Sequence, residues 1–141
     1  MTGPAHILVA EDSELAFAFL QKAFQEAGLP HKLHRVPDGE LALAYLTGQP
    51  PFHDRQVWPF PQLVILDVTM PKAGAFDVLM SLRTRPDLNM PVLVLSGSDR
   101  PEHRELALRL GAAHFQAKSG DMDDMINFAR TIDFLLQHSG S

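Results

Sequence analysis

Cysteine is absent from the 141 residues, so neither disulfides nor thiol chemistry is available, and a reducing compartment is compatible. Long apolar runs are missing too: none approaches the roughly 20 residues of a membrane-spanning helix. The opening Met1 to Ala5 has no basic segment followed by an apolar core, so no secretory signal is indicated. Basic residues are the minority, 12 Lys and Arg against 17 Asp and Glu, with a formal net charge of −5. A nucleic-acid footprint needs a basic face, and this balance argues against one. The seven histidines show no HxxxH or HxH spacing and read as surface or strand residues rather than metal ligands. There is no internal repeat and no low-complexity tract. What is present is an ordinary globular balance, 45% hydrophobic and 21% charged, enough for a core without staples. The expectation is one domain over 1–141, with its core at about 6–138, in the cytoplasm.

The chain then reads as strand alternating with helix. Ile7-Leu8-Val9-Ala10 is a short apolar run, a strand over 6–10 that ends in Glu11-Asp12-Ser13. Ser13 or Asp12 caps a helix whose Ala16, Leu20, Ala23, Phe24 and Ala27 form one stripe, stopped by Gly28 and Pro30. Residues 31–36 alternate weakly, as an edge strand does. Asp38-Gly39 turns into a helix over Glu40 to Thr47, closed by Gly48. Residues 49–61 carry Pro50, Pro51, Pro59 and Pro61 among Phe52, Trp58 and Phe60, which precludes regular structure. Those aromatics either cover one end of the core or form a lip for a partner. Leu63-Val64-Ile65-Leu66 is an uninterrupted apolar run, a strand over 62–66 buried on both faces, and it delivers Asp67. A turn through Met70-Pro71 leads to a helix with Phe76, Leu79 and Leu82, limited by Pro86. Residues 91–95 are a second buried strand, ending in Ser96-Gly97-Ser98-Asp99. Asp99 with Glu102 resembles a capping box, Pro101 suits the first turn, and Gly111 closes that helix. Residues 112–117 form a weaker fifth strand before Lys118-Ser119-Gly120. A last helix begins near Asp121, with Met122, Met125, Ile126, Ala129, Ile132 and Leu136 on its apolar face. Such alternation predicts an α/β fold, a doubly wound parallel sheet with helices on both faces and right-handed crossovers.

Four of the strand ends then converge on one sheet edge, where ligands bind in open α/β sheets. They bring Glu11 and Asp12, Asp67, Ser96 and Lys118. Carboxylates this close repel, and they persist with a divalent cation among them. Oxygen-only donors favour magnesium, or manganese, over zinc. A carboxylate can be a covalent nucleophile toward phosphorus, with the remaining work being positioning and charge neutralisation. Asp67 is thus the candidate phosphoryl acceptor. Lys118 and the Ser96 hydroxyl would meet phosphoryl oxygens, and Gly97 leaves room for the donor.

The order Glu11-Asp12, Asp67 with Met70-Pro71, Ser96-Gly97 and Lys118 resembles the receiver domain of two-component response regulators. The resemblance covers about 6–138 and implies a flavodoxin-like (βα)5 sandwich with strand order 2-1-3-4-5. It implies a phosphoaspartate at Asp67 and a cation held by Glu11, Asp12, Asp67 and the backbone carbonyl of Thr69. Ser96 becomes a switch hydroxyl and Phe115 a switch aromatic that turns inward as the hydroxyl moves. Thr69 and Ser98 occupy positions that tune phosphoryl lifetime. The implied partner is a histidine kinase or phosphotransfer protein, with output by protein contact rather than catalysis. Two departures stand out. Ser119 follows Lys118 where the family has a proline preceded by a cis bond, and a cis bond before a non-proline residue costs about 3–4 kcal/mol. The loop is therefore trans and reshaped, or strained. Ala75 stands where the family has glycine, with Gly74 one position earlier. The Lys118-Ser119 ending, the proline-rich stretch before the third strand and Asp133-Phe134-Leu135-Leu136 resemble the small regulators of bacterial phytochrome-type histidine kinases. That group implies a homodimer through the last two helices and the fifth strand, with Phe134, Leu135 and the Met122/Met125 region as apolar surface.

Other readings compete. An aspartate-nucleophile phosphatase or hydrolase would need a second acid two residues after Asp67, where Thr69 stands. A pseudo-receiver would be a binding module that never carries phosphate, against which Asp12, Asp67 and Lys118 all count. Taken singly, Asp67 is a turn residue, Glu11-Asp12 a solvated pair, and Phe115, Met122 and Met125 core.

Overall fold

The computed structural model describes residues 3–70, 72–97 and 100–138. In chain order the elements are β1 (His6–Ala10), α1 (Glu14–Glu26), β2 (Lys32–Val36), α2 (Gly39–Thr47), β3 (Leu63–Asp67), α3 (Ala75–Arg83), β4 (Val92–Ser96), α4 (Pro101–Arg109), β5 (His114–Ala117) and α5 (Met122–Gln137). The strands form one parallel sheet, as the alternation predicts, in the order β2-β1-β3-β4-β5 that the receiver-domain resemblance implies. Ala10 pairs with Val36 and Leu66, and Ser96 with Ala117, so the strands finish along one edge.

Side chains alternate across a strand, and that alternation splits the core in two. Leu8, Val64, Leu66, Val92 and Val94 face α2, α3 and α4, together with Ala42, Tyr45, Val78 and Phe115. Ile7, Val9, Leu63, Ile65, Leu93 and Leu95 face α1 and α5, meeting Leu20, Phe24, Met125, Phe128 and Ile132. All five residues of β3 are buried, as a run apolar on both faces requires. Met125 belongs to this core, and Met122 packs against it while remaining partly exposed. Phe134 does stand out on α5, 59% exposed and stacked on His138 at 4.0 Å between ring centroids. No helix among the described residues is long and apolar enough to cross a membrane.

Local chemistry explains the boundaries. Ser13 caps α1 with its Oγ accepting from the Ala16 N–H at 3.1 Å, and Asp38 caps α2 through the Leu41 N–H at 2.8 Å. With Asp38 in that role, α2 starts at Gly39, one residue before its expected start. The third helix ends at Arg83, short of the limiting Pro86, with the Thr84 hydroxyl donating to the Ser81 carbonyl at 2.8 Å. Helix α4 has Pro101 in its first turn and Arg100 at its N-cap without a side-chain bond. The capping box expected at Asp99 lies outside the described residues, as do Pro71 and Ser98. The Lys118–Ser119 bond is trans; among the described residues Pro50–Pro51 is the cis bond.

Residues 49–61 cover the core. Phe52 is buried, Trp58 meets it edge-on at 5.2 Å, and the Tyr45 hydroxyl donates to the Pro59 carbonyl at 2.9 Å. Arg55 donates to the Trp58 and Leu46 carbonyls and lies over the rings of Tyr45 and Phe60. His31, at the start of the expected edge strand, is more deeply placed than its sequence suggests. Its side chain is 3% exposed; Nδ1 accepts from the Ala5 N–H at 3.0 Å, so Nε2 donates to Asp133 at 2.8 Å and ties α5 to the sheet.

The turn after β3 is shaped by close packing. Lys72 and Ala73 take left-handed φ values of 49° and 71°, while Gly74 is not left-handed. The Lys72 carbonyl accepts from the Glu40 N–H at 3.2 Å. A Cβ at Gly39 would overlap the Ala73 carbonyl oxygen and come within 2.9 Å of Val78 Cγ2. Gly39→Ala is therefore expected to lower unfolding free energy by about 1–3 kcal/mol, the range for overpacking. Urea denaturation checks this through a lower midpoint at unchanged slope. An unchanged midpoint would show that the turn yields at no cost.

Candidate functional site

The site grows from the ends of four strands. Glu11 and Asp12 follow β1, Asp67 ends β3, Ser96 ends β4 and Lys118 follows β5. Backbone bonds set their spacing. The Glu11 N–H donates to the Val36 carbonyl at 2.9 Å, the Val68 N–H to Leu95 at 2.9 Å, and the Lys118 N–H to Ser96 at 2.7 Å.

Lys118 is the centre of charge. Its ammonium lies 2.9 Å from Glu11 Oε1 and 3.1 Å from Asp67 Oδ2. Glu11, Asp67 and Ser96 are buried, at 3%, 1% and 1% exposure, whereas Asp12 faces solvent. The second Glu11 oxygen accepts from the Ser13 N–H at 3.1 Å. Asp67 receives long contacts from Thr69, 3.4 Å from its N–H and 3.4–3.5 Å from its hydroxyl. These involve the N–H and hydroxyl of Thr69; among the described contacts none engages the carbonyl expected to face the cation.

Burial pushes the Glu11 carboxyl above the usual carboxylate range, and the charge of Asp67 adds to this. Hydrogen bonds from Lys118 and Ser13 oppose the shift without cancelling it. Burial acts to lower the Lys118 ammonium, but its hydrogen bond to Glu11 and the charge of Asp67 prevail, so its pKa is raised. One ammonium cannot balance three carboxylates. Oxygen atoms of Glu11, Asp12 and Asp67 all lie within 4.8 Å of one another. Excess negative charge and an all-oxygen donor set fit a hard divalent cation.

Phe115 is buried at 2% exposure, its ring turned inward with the Arg104 guanidinium 5.0 Å above it. Gly97 borders open space, since a Cβ there would meet nothing within 4 Å. The ends of β1, β3, β4 and β5 thus bring Glu11, Asp12, Asp67, Ser96 and Lys118 to one edge of the sheet, while Ser98 lies outside the described residues. Arg35 was not anticipated: from β2 it donates Nε–H to the Glu11 carbonyl at 2.8 Å and Nη2–H to the Asp12 carbonyl at 3.0 Å. In the sequence it looks like any charge on an edge strand, and no local signal marks it.

The family model described as response regulator receiver domain matches residues 7–130. Response regulator Rcp1 of Synechocystis sp. (strain ATCC 27184 / PCC 6803 / Kazusa) is 28% identical over 131 residues, covering 92% of this chain and 87% of that protein. A crystal structure of its Mn(2+)-bound form aligns with TM-score 0.81 at 27% identity, over 98% of each chain. The phosphorylated cyanobacterial phytochrome response regulator RcpA aligns with TM-score 0.85 at 26% identity, again over 98% of each chain. Response regulator RPA3017, in red light signaling of R. palustris, aligns with TM-score 0.89 at 29% identity, over 97% of this chain and 96% of that one. The chain spans about half the length of several transcriptional regulatory proteins that it also matches.

The charge arrangement has a thermodynamic consequence. Lys118→Ala leaves Glu11 and Asp67 buried without their counter-ion. It should lower stability at pH 7 by about 2–3 kcal/mol, less than for a fully buried pair because Lys118 is partly solvated. The sign with pH follows from Glu11. Its folded pKa is raised, so it takes up a proton earlier than an ordinary carboxyl as pH falls, and a neutral Glu11 no longer needs Lys118. The deficit should shrink from pH 7 toward pH 4 in urea titrations of wild type and variant. A deficit that is constant or grows on acidification contradicts this account.

Proposed function

This chain belongs to the response regulator receiver domain family, and from that membership we propose that it accepts a phosphoryl group on Asp67 and signals through protein contacts that depend on it. The observation that carries the proposal is the cluster at the carboxyl edge of the sheet: Asp67 buried at the end of β3, with Lys118 Nζ 3.1 Å from Oδ2 and two further carboxylates beside it.

The donor is a phosphohistidine of a histidine kinase or phosphotransfer protein, or a small acyl phosphate. An Asp67 carboxylate oxygen attacks phosphorus. The O–P bond forms as the N–P bond to the donor imidazole breaks, and the electron pair returns to that nitrogen, which then takes a proton. Lys118 pairs with one phosphoryl oxygen and so exchanges part of its contact with Asp67 for the incoming charge. The Ser96 hydroxyl donates to another. Glu11, Asp12 and Asp67 would hold a divalent cation, magnesium or manganese, whose chemistry is to neutralise charge on the phosphoryl oxygens. An apolar recess of about 420 Å³ opens beside Glu11 and Lys118, lined by Leu15, Phe17, Leu20, Leu95 and Met125. Leu15, 84% exposed at its rim, suits contact with a donor helix.

Output follows from the same edge. The Ser96 hydroxyl and Phe115 couple phosphoryl occupancy to α4, whose Arg104 covers the Phe115 ring. The similarity to RcpA and RPA3017 supports a phytochrome-type kinase as the donor, and hence a cytoplasmic setting. A homodimer through the last two helices and the fifth strand would find exposed apolar groups in Phe134 on α5 and Leu106 and Leu108 on α4. An aspartate-nucleophile hydrolase is disfavoured by Thr69, which supplies no carboxylate two residues after Asp67.

Incubation with a small-molecule phosphodonor and magnesium is expected to add the mass of one phosphoryl group in an acid-labile linkage. Asp67→Asn and a metal chelator should each abolish the gain. No gain on the wild type would favour a pseudo-receiver, and sustained phosphoester turnover would favour a hydrolase; either overturns the proposal.

A further inference from the structure

Arg35 binds the site from outside it. It lies on β2 opposite Val9, one residue before the last pairing of that strand. Its guanidinium spans two successive carbonyls, Nε–H to Glu11 at 2.8 Å and Nη2–H to Asp12 at 3.0 Å. The next residue, Val36, accepts from the Glu11 N–H at 2.9 Å. The edge strand thus holds the acidic dipeptide by three hydrogen bonds to its backbone. The planar fork of arginine suits two acceptors at fixed spacing, which a lysine ammonium does not reproduce.

Asp12 shows why this matters. Its side chain is exposed, and among the described contacts no hydrogen bond or ion pair engages its carboxylate. Glu11 is held at its side chain by Lys118 and the Ser13 N–H, but Asp12 is fixed through its backbone alone. The chain between the end of β1 and the Ser13 cap is short, so a shift of the Asp12 carbonyl carries its carboxylate away from Glu11 and Asp67.

We infer that Arg35 is a positioning residue for the cation site, pre-setting Asp12 beside Glu11 and Asp67 by clamping the carbonyls of the acidic pair. This rests on the reading of those three carboxylates as a cation site. Two effects of Arg35 on a bound cation have opposite signs. Its positive charge repels a cation, so a purely electrostatic role predicts tighter binding when the charge is removed. Its clamp organises the ligands, so a positioning role predicts weaker binding, and weaker binding also for lysine, which keeps the charge.

The test is Mn2+ titration of the intact chain by calorimetry, for wild type, Arg35→Gln, Arg35→Lys and Asp12→Asn, with circular dichroism to establish folding. Loss of an outer-shell partner typically lowers metal affinity about 10–100-fold, and the expectation is a loss of about tenfold or more for both Arg35 variants. At saturating Mn2+ the rate of phosphoryl uptake should return to that of wild type, because the acceptor itself is untouched. Unchanged or tighter Mn2+ binding by a folded Arg35→Lys or Arg35→Gln would overturn the inference. Failure of the wild type to bind Mn2+ would instead overturn the reading of the site on which it rests.

Discussion

Like charges must be held together at one edge of the sheet, and much of the molecule answers to that requirement. Glu11, Asp12 and Asp67 bring their oxygens within 4.8 Å of one another, two of them buried. Carboxylates so placed repel strongly where water is scarce. Lys118 offsets part of this by bridging Glu11 and Asp67, and the remaining negative charge is what makes the site attractive to a cation. A cluster of three carboxylates with one ammonium among them is costly as a structural feature and useful as a binding one.

The scaffold supplies the force that holds these charges in place. Strand β3 is buried along its whole length between two apolar layers, so Asp67 cannot retreat into solvent without withdrawing a core strand. The parallel register aligns Ser96 with Ala117 and brings Lys118 alongside. Around this rigid floor the loops are tied from neighbouring elements: Ser13 caps α1, Arg35 clamps the acidic pair, and the turn after Asp67 rests on the start of α2 at Gly39. Rigid strands carrying short polar loops are the usual way for an α/β sheet to present a site at its carboxyl edge.

Much of this was legible in the residues. The apolar runs at 7–10, 63–66 and 92–95 announce buried parallel strands, and the polar residue at each end follows directly. Their order along the chain then matches a receiver domain, and the sheet order agrees. The illegible parts share a cause: they depend on contacts between distant positions. His31 looks like a weak edge-strand residue, yet its partner Asp133 lies 102 residues away. Arg35 reads as a solvated charge because its acceptors are backbone carbonyls, which carry no side-chain signature. The left-handed turn at Lys72 and Ala73 hides for the same reason, since neither residue type advertises that backbone. The aromatic stretch at 49–61 was visible as unusual, but only packing against Tyr45 shows that it closes the core.

The central claim is that Asp67 itself carries the phosphoryl group. Borohydride reduces an aspartyl phosphate to homoserine and leaves an ordinary aspartate unchanged. Peptide mapping of borohydride-treated, phosphodonor-exposed protein therefore reads the acceptor position directly. The account predicts homoserine at position 67 and at no other aspartate. Homoserine at position 12, or elsewhere with position 67 unmodified, would contradict it.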